Sequence, residues 1–152
     1  MDAMTETFSL YVIDEEKLPS EFTGQTDQEV YDALIVAIEA DGILTGSIEL
    51  TADDFIDALE SIDGHIGGNR FLPNCAFNNS PYSVLGNNGD CPFMGYFSPA
   101  QVQEMFALFE SLSPDTRDTI DSVYSHGEVF EALFTASEDA MQDSFAVAVL
   151  HT

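Results

Sequence analysis

The sequence predicts an α+β domain: a small sheet that includes N- and C-terminal strands, packed with about five helices. Three observations predict it. Residues 7–13 alternate and are rich in Phe, Tyr and Val, the pattern of a half-buried strand. Residues 145–150 are a continuous apolar run, the pattern of a strand buried on both faces. Between them, Thr26, Thr51, Ser98 and Ser113 each stand just ahead of helical apolar spacing. A chain of 152 residues, 45% of them hydrophobic, suffices for one domain with a real core, residues 1–152.

The elements follow in order. Residues 14–25 form a polar connection containing Pro19 and Gly24. Thr26-Asp27-Gln28-Glu29 is a capping box, and Val30, Ala33, Leu34, Ala37 and Ile38 then fall on one helical face, which Gly42 ends. Residues 43–50 read as a short strand. Thr51 opens a helix that buries Phe55, Ile56, Leu59 and Ile62 and turns Asp53, Asp57, Glu60 and Asp63 towards the other side. Residues 64–97 hold six of the ten Gly, six Asn, three Pro, both Cys and one acid, Asp90. They read as a long irregular segment with short strands at its end, the kind of ordered loop that often carries function. Ser98-Pro99-Ala100-Gln101 is a strong helix start, followed by Val102, Met105, Phe106, Phe109 and Leu112. Ser113-Pro114 opens a helix with Ile120, Val123 and Tyr124 inward and Asp115, Asp118 and Asp121 outward, broken at Gly127. Val129, Phe130, Leu133, Phe134, Ala140 and Met141 mark the last helix. The two terminal strands are expected to pair in a small central sheet.

Charge is the outlying property. Twenty-eight Asp and Glu face only Lys17, Arg70 and Arg117, for a net charge of −25. A folded chain of this mass exposes roughly 7,600 Å², so it carries about one net charge per ~300 Å². B-DNA carries about one per ~100 Å² of its cylinder. Acids gathered on half the surface would therefore approach half to two-thirds of the density of DNA. Nucleic acid and anionic membranes are repelled by such a surface, and basic proteins are attracted to it. The start Met1-Asp2-Ala3-Met4-Thr5-Glu6 has neither a basic n-region nor an apolar h-region, and no apolar run approaches 18 residues. A cytoplasmic chain with Cys75 and Cys91 as thiols is expected.

The sharper chemical motifs fail on inspection. An EF-hand register placing Gly42 at position 6 puts Ala37 and Ile48 at the decisive ligands; placing Gly64 there gives Leu59 and Arg70. Cys75, Cys91, His65, His126 and His151 lack zinc-ligand spacing. A nucleophile built from Cys75, His65 and Asn74 would need them to converge, and acidic surroundings raise a thiol pKa, the wrong direction. Asn78-Asn79-Ser80 matches a glycosylation sequon, without a secretory signal to use it. There is no phosphate-cradling Gly motif, and no catalytic residue, metal or cofactor is predicted. Phe106, Phe109, Phe130 and Phe134 read as core.

The spacing of the acids is the informative signal. Asp53, Asp57 and Glu60 recur at three- and four-residue intervals, as do Asp115, Asp118 and Asp121; Glu128 with Glu131, then Glu138 and Asp139, extend the pattern. Like charges so placed cost a few tenths of a kcal/mol per pair, and among these stretches only Arg117 offsets them. Steering and docking onto a cationic partner is one physical reason to keep such a field.

The segment Gly95-Tyr96-Phe97-Ser98-Pro99-Ala100-Gln101-Val102-Gln103-Glu104 resembles the YfbM-like family of small bacterial proteins, in its glycine-aromatic strand end, its Ser-Pro helix start and its Gln-Val pair. The similarity extends over residues 95–150, through a closing helix and apolar strand, and is weaker over the first 94. The family brings no catalytic residues to carry over, and some of its members look like immunity proteins encoded beside toxins.

These readings lead to one expectation: a non-enzymatic acidic inhibitor, an immunity protein that occludes a basic toxin domain such as a nuclease. Its partner-binding residues would be Asp53, Asp57, Glu60, Asp63, Asp115, Asp118 and Asp121, with Phe77 and Tyr82 as apolar anchors. A DNA mimic acting on a restriction or CRISPR protein uses the same electrostatics, with its acids in a band. A highly soluble acidic protein needs no partner for its charge, and one from a halophile would need molar salt to fold. An enzyme would need a converged pocket around His65 and Cys75.

Overall fold

Strand β1 (Glu6–Ile13) is the axis of the molecule in the computed structural model, which describes residues 5–19, 21, 26–77 and 94–151. Its alternation separates two environments: Phe8, Leu10 and Val12 enter one core, and Ile13, with Tyr11 beside it, enters another. After a single 3-10 turn (Glu15–Lys17), helix α1 (Asp27–Asp41) starts as its capping box dictates. The Glu29 N–H donates to Thr26 Oγ1 and the Thr26 N–H donates to Glu29 Oε1, both at 3.2 Å. Gly42 ends it, its N–H donating to the Ile38 carbonyl at 2.8 Å.

Strand β2 (Ile43–Leu50) returns antiparallel to β1. The register steps from Leu10↔Gly46 to Tyr11↔Leu44, leaving Thr45 as the extra residue of a bulge, and its hydroxyl donates to the Leu10 carbonyl at 3.3 Å. Helices α2 (Ala52–Ile66) and α3 (Phe71–Phe77) follow. Strand β3 (Met94–Phe97) leads into α4 (Pro99–Glu110), α5 (Pro114–Asp121), α6 (Tyr124–Met141) and finally β4 (Ala146–His151). Thr51, Ser98 and Ser113 each accept a hydrogen bond from a backbone N–H of the first turn they precede.

The sheet is antiparallel in the order β2-β1-β4-β3. Its two inner strands are the N- and C-terminal ones, paired from Phe8↔His151 to Ile13↔Ala146. The architecture is therefore α+β, with the terminal strands in one small sheet. Both faces of β4 are covered, as its apolar run requires: Val147 and Val149 join the larger core, Ala146, Ala148 and Leu150 the smaller. Helices α2 to α6 cover the first face; among the described residues, α1 is the helix that packs on the second, with Leu18 beside it. Phe8 stacks on Phe55 at 4.0 Å between centroids, and Phe109, Phe130 and Phe134 pack ring to ring under α4 and α6.

Two segments differ from expectation. Residues 64–97 are not irregular throughout: α2 runs through Gly64 to Ile66, and α3 and β3 follow. Gly67, at φ +66°, closes α2 in the left-handed conformation that glycine adopts freely. The break expected at Gly127 lies instead at Ser122–Val123, and α6 passes through Gly127. Val123 and Tyr124, expected inward with Ile120, are therefore exposed, Tyr124 to 78%. Among the described residues, no helix is long and apolar enough to cross a membrane.

Candidate functional site

Helix α2 presents the first acidic stripe. Because Phe55, Ala58, Leu59 and Ile62 point into the core, Asp53, Asp57 and Glu60 are left on the exposed side. Asp63 departs from the expectation that it belongs with them, for it is buried at 6% exposure. One turn beyond Leu59, its carboxylate folds back over the α2–α3 connection. It accepts from the Arg70 N–H at 2.6 Å and from the Leu72 N–H at 2.9 Å. It thus satisfies two amides where α3 begins. Asn69 and Arg70 hold left-handed backbone there, at φ +52° and +73°. Asp63 holds the turn together and takes no place on the exposed face.

Helix α5 presents the second stripe. Ile120 is its buried anchor, and Asp115, Asp118 and Asp121 stand in solvent. Arg117 fastens the helix to its surroundings. Its guanidinium donates to the Phe109 carbonyl at 3.1 Å, lies 5.2 Å from the Phe134 ring centroid and comes within 3.7 Å of Glu110. The one base within these acidic runs is therefore turned inward, and the outward side of α5 remains anionic.

The first turns of α6 bring the stripes together. His126 Nε2 lies 3.4 Å from Asp57 Oδ2, and Asp57 remains largely in solvent. On the next residue, Gly127, a Cβ would come within 3.1 Å of Asp121 Oδ1. Asp57 of α2 and Asp121 of α5 are thus held against consecutive residues of one helix. Asp53 and Glu60 are exposed on the same helix as Asp57, and Asp115 and Asp118 on the same helix as Asp121. Phe77 closes α3, but its side chain, like all of Tyr82, lies outside the described residues.

A groove of about 490 Å³ adjoins this face, lined by Gly46, Ser47 and Ile48 of β2 and by Tyr124, Gly127, Glu128, Glu131 and Ala132 of α6, with Asp121 at its border. The Tyr124 hydroxyl donates to Glu128 Oε1 at 3.0 Å; that bond and the Glu128 charge push the phenol pKa up. Sequence reasoning noted Glu128 and Glu131 as part of the acidic pattern but did not place them at a site, and it turned Tyr124 inward. Only the break at Ser122–Val123 rotates that tyrosine outward.

The imagined nucleophile does not assemble. Cys75 is a free, buried thiol in the larger core, whereas His65 and Asn74 are exposed. Burial, then the charges of Glu104 and Asp63, push the Cys75 thiol from 9.0 up to about 12. In a Cys91→Ser variant, native Cys75 is expected to react with a disulfide reagent at pH 8 at least ~30-fold more slowly than in denaturant, its lower thiolate fraction outweighing the greater nucleophilicity of a high-pKa thiolate. A native rate within ten-fold of the denatured one would contradict this. Below pH 9 both states keep the thiol proton; between pH 9 and about 12 only the unfolded state releases it, so stability falls across that window. Among the described residues, no three His, Cys, Asp or Glu side chains gather as a metal site would require.

Compared with protein-family models, with curated proteins and with solved structures, the chain has no significant match in any of the three.

Proposed function

We propose that this protein is a non-enzymatic acidic inhibitor that binds one basic protein and occludes its cationic cleft. The most concrete form is a cytoplasmic immunity protein directed at a toxin domain such as a nuclease. One observation supports the reading: Asp57 of α2 and Asp121 of α5 lie against consecutive residues of α6, His126 and Gly127. Bulk solubility requires the composition but not this gathering. The similarity of residues 95–104 to the YfbM-like family supports the immunity class.

In the proposed mechanism, carboxylates of Asp53, Asp57, Glu60, Asp115, Asp118 and Asp121 occupy positions that phosphates would take on the partner. Long-range attraction speeds encounter, and apolar contacts supply much of the affinity that salt does not screen. The test compares two variants with the wild-type chain. One neutralises the six acids just named, Asp to Asn and Glu to Gln. The other neutralises six exposed acids elsewhere: Asp32, Glu39, Asp41, Glu138, Asp139 and Asp143. From lysate of the source cell at low salt, wild type and control variant should both retain the same basic protein, and the face variant should lose it. With that protein purified, association should slow at least ~10-fold for the face variant alone. Equal behaviour of the two variants would mean that the charge acts only in bulk. A retained protein whose function is DNA binding would favour DNA mimicry over toxin immunity.

A further inference from the structure

Strand β2 forms one edge of the sheet, and among the described residues no strand pairs with its outer side. An open edge presents unpaired N–H and C=O groups, and proteins usually blunt it with lysine, proline or brevity. The opposite edge strand, β3, has four residues, all buried. β2 has eight, with neither lysine nor proline, and the one such device it carries is the bulge at Thr45, which leaves residues 46–50 as regular strand.

The exposed apolar side chains gather around this same edge. Of the five large ones among the described residues, Ile43 and Leu44 lie on β2, and Val123 and Tyr124 lie where α6 begins. The fifth, Val36 on α1, lines a hollow with Tyr11, the strand partner of Leu44. On the α6 side of this edge, with Tyr124 in its lining, lies the groove bordered by Asp121, Glu128 and Glu131. Its floor is open, for a Cβ on Gly46 would meet nothing within 4 Å. Apolar anchors ringed by acids, beside an unpaired strand, are the complement of an extended basic segment.

We propose that the outer edge of β2 accepts an extended Lys/Arg-bearing segment of the protein partner as an added strand. This rests on the reading that the partner is basic. Backbone pairing with residues 43–50 supplies the register. Alternate side chains on one face of the segment enter the groove, where lysine or arginine meets Asp121, Glu128 and Glu131. Apolar side chains of the segment cover Ile43 and Leu44. A second copy of this chain suits the edge poorly, since two molecules of net charge −25 would have to come together there.

The probe is an eight-residue peptide of alternating arginine and valine. Its control is the same peptide N-methylated at two adjacent central residues, which keeps the charge and blocks backbone pairing on both edges. With the full chain at low salt, the unmodified peptide should slow hydrogen exchange across residues 43–50 and bind at least ~10-fold more tightly than the control. Glu128→Lys with Glu131→Lys should weaken it by at least ~10-fold, and a circular dichroism spectrum and melting profile like those of wild type would show the fold intact. Equal affinity of both peptides, with protection on α2 and α5, would overturn the added strand and leave the acidic-face reading standing. Absence of binding by either peptide would likewise overturn the strand site, while partner retention by the six-acid variants still decides the inhibitor reading. A dimer in sedimentation with β2 protected before peptide is added would assign the edge to a second copy and overturn the proposal.

Discussion

Gly95→Ala is expected to destabilise the protein by about 3 kcal/mol or more, lowering its melting temperature by about 10 °C. Gly95 sits in β3 where the end of α3 rests directly on the strand. A Cβ there would lie 2.0 Å from the Ala76 carbonyl oxygen and 2.5 Å from the carbonyl carbon. Both are backbone atoms, so no side-chain rotation relieves the clash and α3 must move as a body. That movement would open the packing of Leu72, Cys75 and Ala76 in the larger core. Thermal unfolding followed by circular dichroism measures the loss. A shift under 3 °C would show that α3 can slide off β3 without consequence. The same contact gives a physical reason for the glycine at the head of the Gly-Tyr-Phe-Ser-Pro segment: the strand must admit a helix at backbone distance.

Asp63→Ala is expected to cost about 3 kcal/mol, whereas Asp53→Asn, one helix face away, should change stability by less than about 0.5 kcal/mol. The difference follows from what each carboxylate does. Asp63 holds the Arg70 and Leu72 N–H groups, and its removal strands two amides at a partly or fully buried site. It would also release a turn in which Asn69 and Arg70 sustain positive φ. Asp53 stands in solvent. Asp63→Asn should fall between the two, because the amide oxygen still accepts while its NH₂ meets a second donor. Urea unfolding of the three variants measures the order, and hydrogen exchange at Arg70 and Leu72 should accelerate first in the alanine variant. Equal stability of Asp63→Ala and Asp53→Asn would remove Asp63 from its structural role.

The elements that announce themselves in the sequence are those with local chemistry at their ends. Thr26, Thr51, Ser98 and Ser113 each cap a helix within three residues, so the helix starts could be read directly. Helix α3 could not. Its first amides are satisfied by Asp63, from the preceding helix and nine residues before Leu72, and it contains Pro73. The α5–α6 break escaped for a similar reason: Val123 offers no side-chain cap, and Gly127 is a more conspicuous signal for a stop. Asp63 reads with the outward acids of α2, yet it stands four residues from Leu59, on the margin of the buried face. Each acidic stripe was legible as spacing along its own helix. Their meeting at His126 and Gly127 depends on how α2, α5 and α6 cross, and the edge position of β2 depends on strand order. Local sequence encodes neither.

The central pairing of β1 with β4 also sets an order of events. Phe8 finds His151 across nearly the whole length of the chain, so the middle of the sheet closes only through the longest-range strand pairing among the described residues. Loop-closure entropy makes such a contact late and slow. Until then β1 has β2 on one side and an unfilled edge on the other, with Phe8, Leu10 and Val12 short of part of their cover. A chain whose β4 has yet to dock exposes that apolar surface, and mutual repulsion between molecules of net charge −25 keeps two such chains apart. The acidity that would draw in a basic partner thus also protects the unfinished protein from its own kind.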